Sequence, residues 1–217
     1  MKKGFTLIEV LITMAIVGVV AVLTVPNVID NSSRRVYVQT LKTVNSSLNA
    51  AVNDIFTKEK VSSLADSTAS AASTCLSNSF KLASYCGETY TDCLADSYKS
   101  LDKTRTITTN EMLSNKGFFC GILQSGVVIC MTDMSNDSDN WHGRSLVLVD
   151  VNGKKKPNMN GRDLFNFELY SDGSIGNRYK LTETDSSGQS CSSKASTAGY
   201  GGACYSKVVA DGWSMDY

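Results

Sequence analysis

The sequence predicts an α+β fold: a long N-terminal helix, membrane-spanning in its first half, packed against a small antiparallel β-sheet head with disulfide-stapled loops. Three observations predict it. An apolar run from Phe5 to Val25 is long enough to cross a bilayer, since its 21 residues at about 1.5 Å each span roughly 30 Å. An apolar stripe at helical spacing continues from Tyr37 to Ile55. Further on, the pattern changes to short apolar runs separated by turn residues, and all seven cysteines lie from Cys75 onward.

Lys2 and Lys3 precede the apolar run and favour a cytoplasmic N-terminus. Glu9 is the odd residue within it. A charged carboxylate at the centre of a bilayer costs about 2.5–3.5 kcal/mol, and less one turn from the headgroups, where Glu9 falls. Its cheapest partner is a positive charge at the same depth. Cleavage after Gly4 would give Phe5 a free α-amine of that sign. Between two parallel helices offset by a turn, the amine of one would neutralise the glutamate of the other. A secretory signal would have a shorter apolar core with a small-residue cleavage site after it, and a plain anchor gives no reason for Glu9.

The stretch KGFTLIEVLITMAIVGVVA resembles the processing and methylation signature of type IV prepilins and type II secretion pseudopilins. The resemblance implies a pilin-like fold, cleavage after Gly4 by a prepilin peptidase, and methylation of the new N-terminus at Phe5. It implies that Glu9 pairs with the N-terminal amine of a neighbouring subunit. Gly18 and Pro26 stand where a helix-loosening glycine and proline are common in the pilin helix. The implied partners are copies of the same chain or other pilins, an inner-membrane assembly platform and the membrane itself. The implied location is the bacterial inner membrane, single-pass, with the head in the periplasm or outside, and then a filament. The resemblance covers about the first 30 residues.

The helical stripe after Pro26 runs through Tyr37, Leu41, Val44, Leu48, Ala51 and Ile55, flanked by Val52, with Gln39, Lys42, Ser46, Asn49 and Asn53 mostly opposite. The expected organisation is a leader at 1–4, the transmembrane part of the helix at 5–25, its amphipathic continuation at 26–57 and a globular head at 58–217. Pro26 removes one backbone hydrogen bond and is expected to kink or loosen the helix without ending it. Residues 61–79 are rich in Ser, Ala and Thr and read as a linker with one helical turn. Cys75, Cys86 and Cys93, with tyrosines between them, mark a small irregular lobe whose order depends on a disulfide. A short strand is expected at 104–109.

Residues 118–132 are the clearest strand pair, two apolar runs flanking the turn Gln124-Ser125-Gly126. With Ser125 at the tip, Cys120 and Cys130 face each other and are close enough for a bridge. A polar acidic loop with Trp141 and His142 follows, then strands at 145–151 and around Phe165, Phe167 and Leu169, and a turn at Ser171-Asp172-Gly173. A Cys191–Cys204 disulfide would close a surface loop in the Ser/Gly-rich C-terminal segment, much as a C-terminal loop is stapled in type IV pilins. Trp213 and Tyr217 are expected to pack on the head or on a neighbouring subunit.

Between Asp150 and Asp163 lies the one candidate for ion chemistry. Asp150, Asn152, Asn158 and Asp163 supply oxygens and Gly153 a sharp turn, in part like an EF-hand-type calcium loop. No glutamate stands at the twelfth position, and Lys154, Lys155 and Lys156 occupy places where ligands belong. A tight structural connection is the competing reading. Major pseudopilins often carry a calcium loop near the C-terminus, and the stretch resembles a loop seen in many pilin-like proteins of host-associated bacteria.

Composition excludes several functions. Lys+Arg and Asp+Glu both number 21, so no basic field points to nucleic acid. The cysteines form no C-x2-C pair and His142 is the only histidine, which argues against zinc and for disulfides in an oxidising compartment. Seven is odd, so at least one cysteine is free or pairs between chains. No nucleophile setting, phosphate loop or dinucleotide motif is present, and no catalysis is expected. Two classes remain: a structural subunit of a pilus or pseudopilus filament, and a minor pilin acting as an adhesion module at a filament tip.

Overall fold

The computed structural model describes Gly4 and residues 6–113, 117–134, 143–176, 191 and 204–217; of residues 25–29 it describes the backbone. Phe5, Trp141, His142 and most of the C-terminal Ser/Gly-rich segment lie outside the described residues. The chain divides into two compact units, Met1–Val36 and Tyr37–Tyr217. One helix, α1 (Leu7–Glu59), supplies elements to both, and the chain stays helical through position 26.

In the first unit, the window Leu7–Thr24 has mean hydropathy 2.6, and none of it is buried against the rest of the chain. Its two hydroxyls fold back on the helix, Thr13 Oγ1 donating to Val10 O and Thr24 Oγ1 to Val20 O. An apolar medium therefore meets no unpaired hydroxyl donor at these positions.

In the second unit, Val38, Leu41, Val44, Leu48, Val52 and Ile55 form the buried face of α1. The stripe differs slightly from the sequence expectation. Val38 and Val52 are in it, whereas Tyr37 and Ala51 are half-buried. Spacings of three and four set this face. Each fully buried leucine contributes roughly 1.5–3 kcal/mol.

The sheet has six antiparallel strands in the order β1 (Leu82–Gly87), β4 (Phe118–Leu123), β5 (Val128–Thr132), β6 (Arg144–Asp150), β7 (Leu164–Tyr170) and β8 (Ile175–Gly176). Alternation along the strands sends side chains to two cores. Ile129, Met131, Val147, Val149, Phe165 and Phe167 join the α1 stripe. Cys120, Val128, Cys130, Leu148 and Leu164 face the other way. Over that second face lie α3 (Tyr90–Cys93), the small hairpin β2 (Ser97–Lys99) and β3 (Thr106–Thr108), and α4 (Thr109–Leu113). Burial on both faces explains why 128–131 and 146–149 are unbroken apolar runs.

Two stretches are more ordered than the sequence suggests. Residues 61–79 contain two 3₁₀ turns and the helix α2 (Ala72–Ser79), which buries Ala72, Cys75 and Leu76. Their anchors, Leu64, Ala69, Ala72 and Leu76, are spread thinly among serines, so no periodic signal stands out. The expected irregular lobe holds β1, α3 and β2, and the expected strand at 104–109 is shortened to 106–108 because α4 begins at Thr109.

Three disulfides join Cys86 to Cys93, Cys120 to Cys130 and Cys191 to Cys204. Cys120 and Cys130 are direct register partners of β4 and β5, with Cα atoms 4.0 Å apart. Cys75, counted among the disulfide candidates, is a correction: it is a buried free thiol on α2. Desolvation pushes its pKa up to about 11.

Candidate functional site

The N-terminal segment is built from its first turn. Glu9 Oε2 accepts the backbone N–H of Thr6 at 2.8 Å and the Thr6 hydroxyl at 2.9 Å. The Glu9 N–H in turn donates to Thr6 Oγ1 at 3.3 Å. This reciprocal pattern is a capping box, Thr-x-x-Glu, and it ties two donors that a helix start leaves orphaned. The signal stands in the sequence as Thr6-Leu7-Ile8-Glu9, a threonine followed three residues later by a glutamate, although the sequence expectation gave Glu9 a charge partner only. Glu9 thus has a local role in a single chain. Among the described residues its side-chain hydrogen bonds run to Thr6 alone.

Gly4 lies just before this cap, exposed, with no heavy atom within 4 Å of where a Cβ would stand. No packing requirement dictates glycine there. Gly18 likewise has open space around it. Its hydrogen side chain leaves a notch on an exposed apolar helix, and glycine weakens the helix by about 1 kcal/mol relative to alanine.

Residues 1–25 match the family model for the prokaryotic N-terminal methylation motif. This segment is the type IV prepilin and pseudopilin signature. No curated protein and no solved structure matches the chain. The signature implies processing by prepilin peptidase and assembly into filaments, and the apolar helix behind it fits an inner-membrane anchor.

The second candidate is the loop between β6 and β7. Asp150 and Asp163 are fully buried in it. Asp163 clamps the loop on itself, Oδ2 accepting the Asn158 N–H at 2.7 Å and Oδ1 the Met159 N–H at 2.6 Å. Asp150 Oδ1 accepts the Asn152 N–H at 3.1 Å, and Oδ2 accepts the Tyr98 hydroxyl at 2.5 Å. Desolvation raises the Asp150 pKa to about 7, and the nearby Asp163 charge adds to it; desolvation raises that of Asp163 to about 6. Asn152 Nδ2 donates to Tyr37 Oη on α1 and to Lys156 O, each at 3.2 Å. The Lys156–Pro157 bond is cis, and Asn158 has φ +50°, a conformation asparagine tolerates. The structure therefore brings all four candidate calcium ligands into one loop, with both carboxylates already taking N–H and O–H donors. Asn152 Oδ1 and Asn158 Oδ1 are buried without a hydrogen-bond partner. No group of three or more His, Cys, Asp or Glu side chains able to hold a metal occurs among the described residues.

Proposed function

We propose that this chain is a structural subunit of a type IV pilus-like or type II secretion pseudopilus filament, cleaved after Gly4 and assembled through its N-terminal helix. The observation that carries the reading is the exposed apolar window Leu7–Thr24 with a single carboxylate, Glu9, at its start. Packing of such helices side by side in a filament would cover that surface. The methylated amine of Phe5 in one subunit would then neutralise Glu9 in the next and set the stagger. Before assembly the same helix crosses the inner membrane once, residues 1–4 form the cytoplasmic leader, and the head stands in the periplasm. The work is mechanical, with no chemistry asked of the head. Shearing the producing cells and probing the sheared fraction for the processed chain tests this. Abundant processed chain there supports a surface filament. Processed chain confined to the membrane supports a short pseudopilus. Chain that keeps its leader in cells with active prepilin peptidase overturns the reading.

We read the Asp150–Asp163 loop as a structural clamp. Calcium takes six to eight oxygens, whereas both carboxylates here already fold the loop through backbone N–H groups, and the two orphaned amide oxygens add few ligands. The expected result is an unchanged Tm when calcium is exchanged for a chelator. A rise of several degrees in calcium would restore the cation reading.

A further inference from the structure

The head has two poles, fixed by contacts to α1 from opposite ends of β7. At one pole Asn152 of the β6–β7 loop bonds Tyr37, the first residue of the head unit. At the other the turn after β7 lies on Val52 and Phe56, so closely that a Cβ at Gly173 would meet Val52 Cγ1 at 2.6 Å. The Tyr37 pole is where the chain arrives from the apolar window. Only the twelve residues from Val25 to Val36 separate the two.

That pole is basic, although the whole chain is neutral. The β6–β7 loop and the β2–β3 turn meet there, Lys99 N–H donating to Asn158 O and Asn160 N–H to Lys99 O, each at 2.9 Å. Lys99, Lys103 and Arg105 on one segment and Lys154, Lys155 and Lys156 on the other are all exposed. Among the described residues none of the six is ion-paired. Lys154 donates to Thr91 O at 2.9 Å. Carboxylates that are not fully buried also adjoin these segments among the described residues. Asp102 is half-buried and taken up by Ser100 and Thr104; Asp92, beside Thr91, and Asp216, next to the Tyr217 whose hydroxyl bonds Gly161 O, are exposed. The buried Asp150 and Asp163 are turned to internal donors.

We propose that this basic pole is a docking surface for the anionic phospholipid headgroups of the membrane in which the chain is stored before assembly. The inference rests on the reading of Leu7–Thr24 as a membrane anchor. A short tether makes the lipid surface the polyanion at highest effective concentration, and each lysine near an anionic bilayer is attracted to it. The head would then lie on the membrane through two adjacent loops until extraction pulls it off. The contact would weaken with salt, because screening shortens to about 8 Å at physiological ionic strength.

Lysine footprinting of the full-length chain in lipid nanodiscs tests the proposal. One set of discs is phosphatidylcholine alone and the other contains phosphatidylglycerol. Acylation of Lys99, Lys103 and Lys154–Lys156 is expected to fall about threefold or more in the anionic discs and to recover at high salt. Lys58 and Lys60, beside Phe56 at the other end of the head's helix, serve as internal references and should not change. Equal labelling in both discs overturns the docking surface alone. Failure of the chain to enter either disc overturns the anchor reading and the proposal with it. Protection by soluble DNA or heparin, with none from the anionic discs, would mean that the surface serves a different polyanion and would also overturn it.

Discussion

Tyr98 on β2 donates its hydroxyl to Asp150 at the end of β6, 2.5 Å away and fully buried, across 52 positions of sequence. The bond pins the lobe covering one face of the sheet to the loop that holds Tyr37 of α1. It is also a pH-dependent joint. The folded pKa of Asp150 lies near 7, against an ordinary value of 3.8. The folded state therefore holds its proton over a range where the unfolded state has lost it. This contribution to stability is fully present below about pH 4 and is lost as pH rises through about 7. The lowered carboxylates Asp102, Glu111 and Asp172 act in the opposite sense, so the difference between variant and parent is the informative quantity. Asp150→Asn should gain stability relative to the parent as pH is raised from 4 to 8, read as the difference in urea midpoints. A pH-independent difference would remove the proton-linked account.

Cys75 should be chemically silent in the native head. It is buried on α2, and its thiol pKa is pushed up to about 11, so the thiolate that would react is both rare and inaccessible. Iodoacetamide applied without reductant is expected to add nothing to the folded protein and one adduct after denaturation. Two or more adducts under those conditions would mean that a disulfide had failed to form.

The α1 stripe should dominate the stability of the head. Leu48 has no exposure at all, whereas Asn49, one position on, faces solvent. Leu48→Ala is expected to cost about 2–5 kcal/mol, and Asn49→Ala less than about 0.5 kcal/mol. Denaturant unfolding of both variants measures the contrast. Comparable losses would show that α1 does not pack on the sheet through this face.

How much of this was legible depended on whether a local pattern carried the signal. The β4–β5 register could be read from Gly126 and two apolar runs, because a three-residue turn fixes which positions oppose. That reading placed Cys120 opposite Cys130, and the same pair is bonded in the structure. The second core was not legible. Its members, such as Leu94, Tyr98, Met112 and Leu164, are brought together from segments each too short to show a period. The clamp of Asp163 on Asn158 and Met159 was hidden for a related reason: in sequence, Asp, Asn, Gly and Pro spell a turn and an ion loop with the same letters. At the N-terminus the reverse held. The long apolar window Leu7–Thr24 was legible from length and composition alone, while the capping box hides in the same Glu9 that a charge pairing would use.

The cap that Glu9 makes and the pairing proposed for it can be separated by substitution. The capping box requires an acceptor at position 9, and glutamine supplies one as well as glutamate does. The pairing with a neighbouring amine requires the negative charge. Glu9→Gln should therefore keep the first turn of α1 while removing the attraction proposed to set the stagger. Thr6→Val does the opposite, deleting the hydroxyl bonds to Glu9 and keeping its charge, at a cost of about 1 kcal/mol to the helix start. Both variants are expected to be cleaved after Gly4. Incorporation into sheared filaments, quantified against membrane-held chain, should drop about tenfold or more for Glu9→Gln, since an uncompensated amine is left in an apolar helix pack. It should stay near the parent level for Thr6→Val. The reverse order would mean that Glu9 serves the helix cap and that some other contact sets the stagger of the subunits.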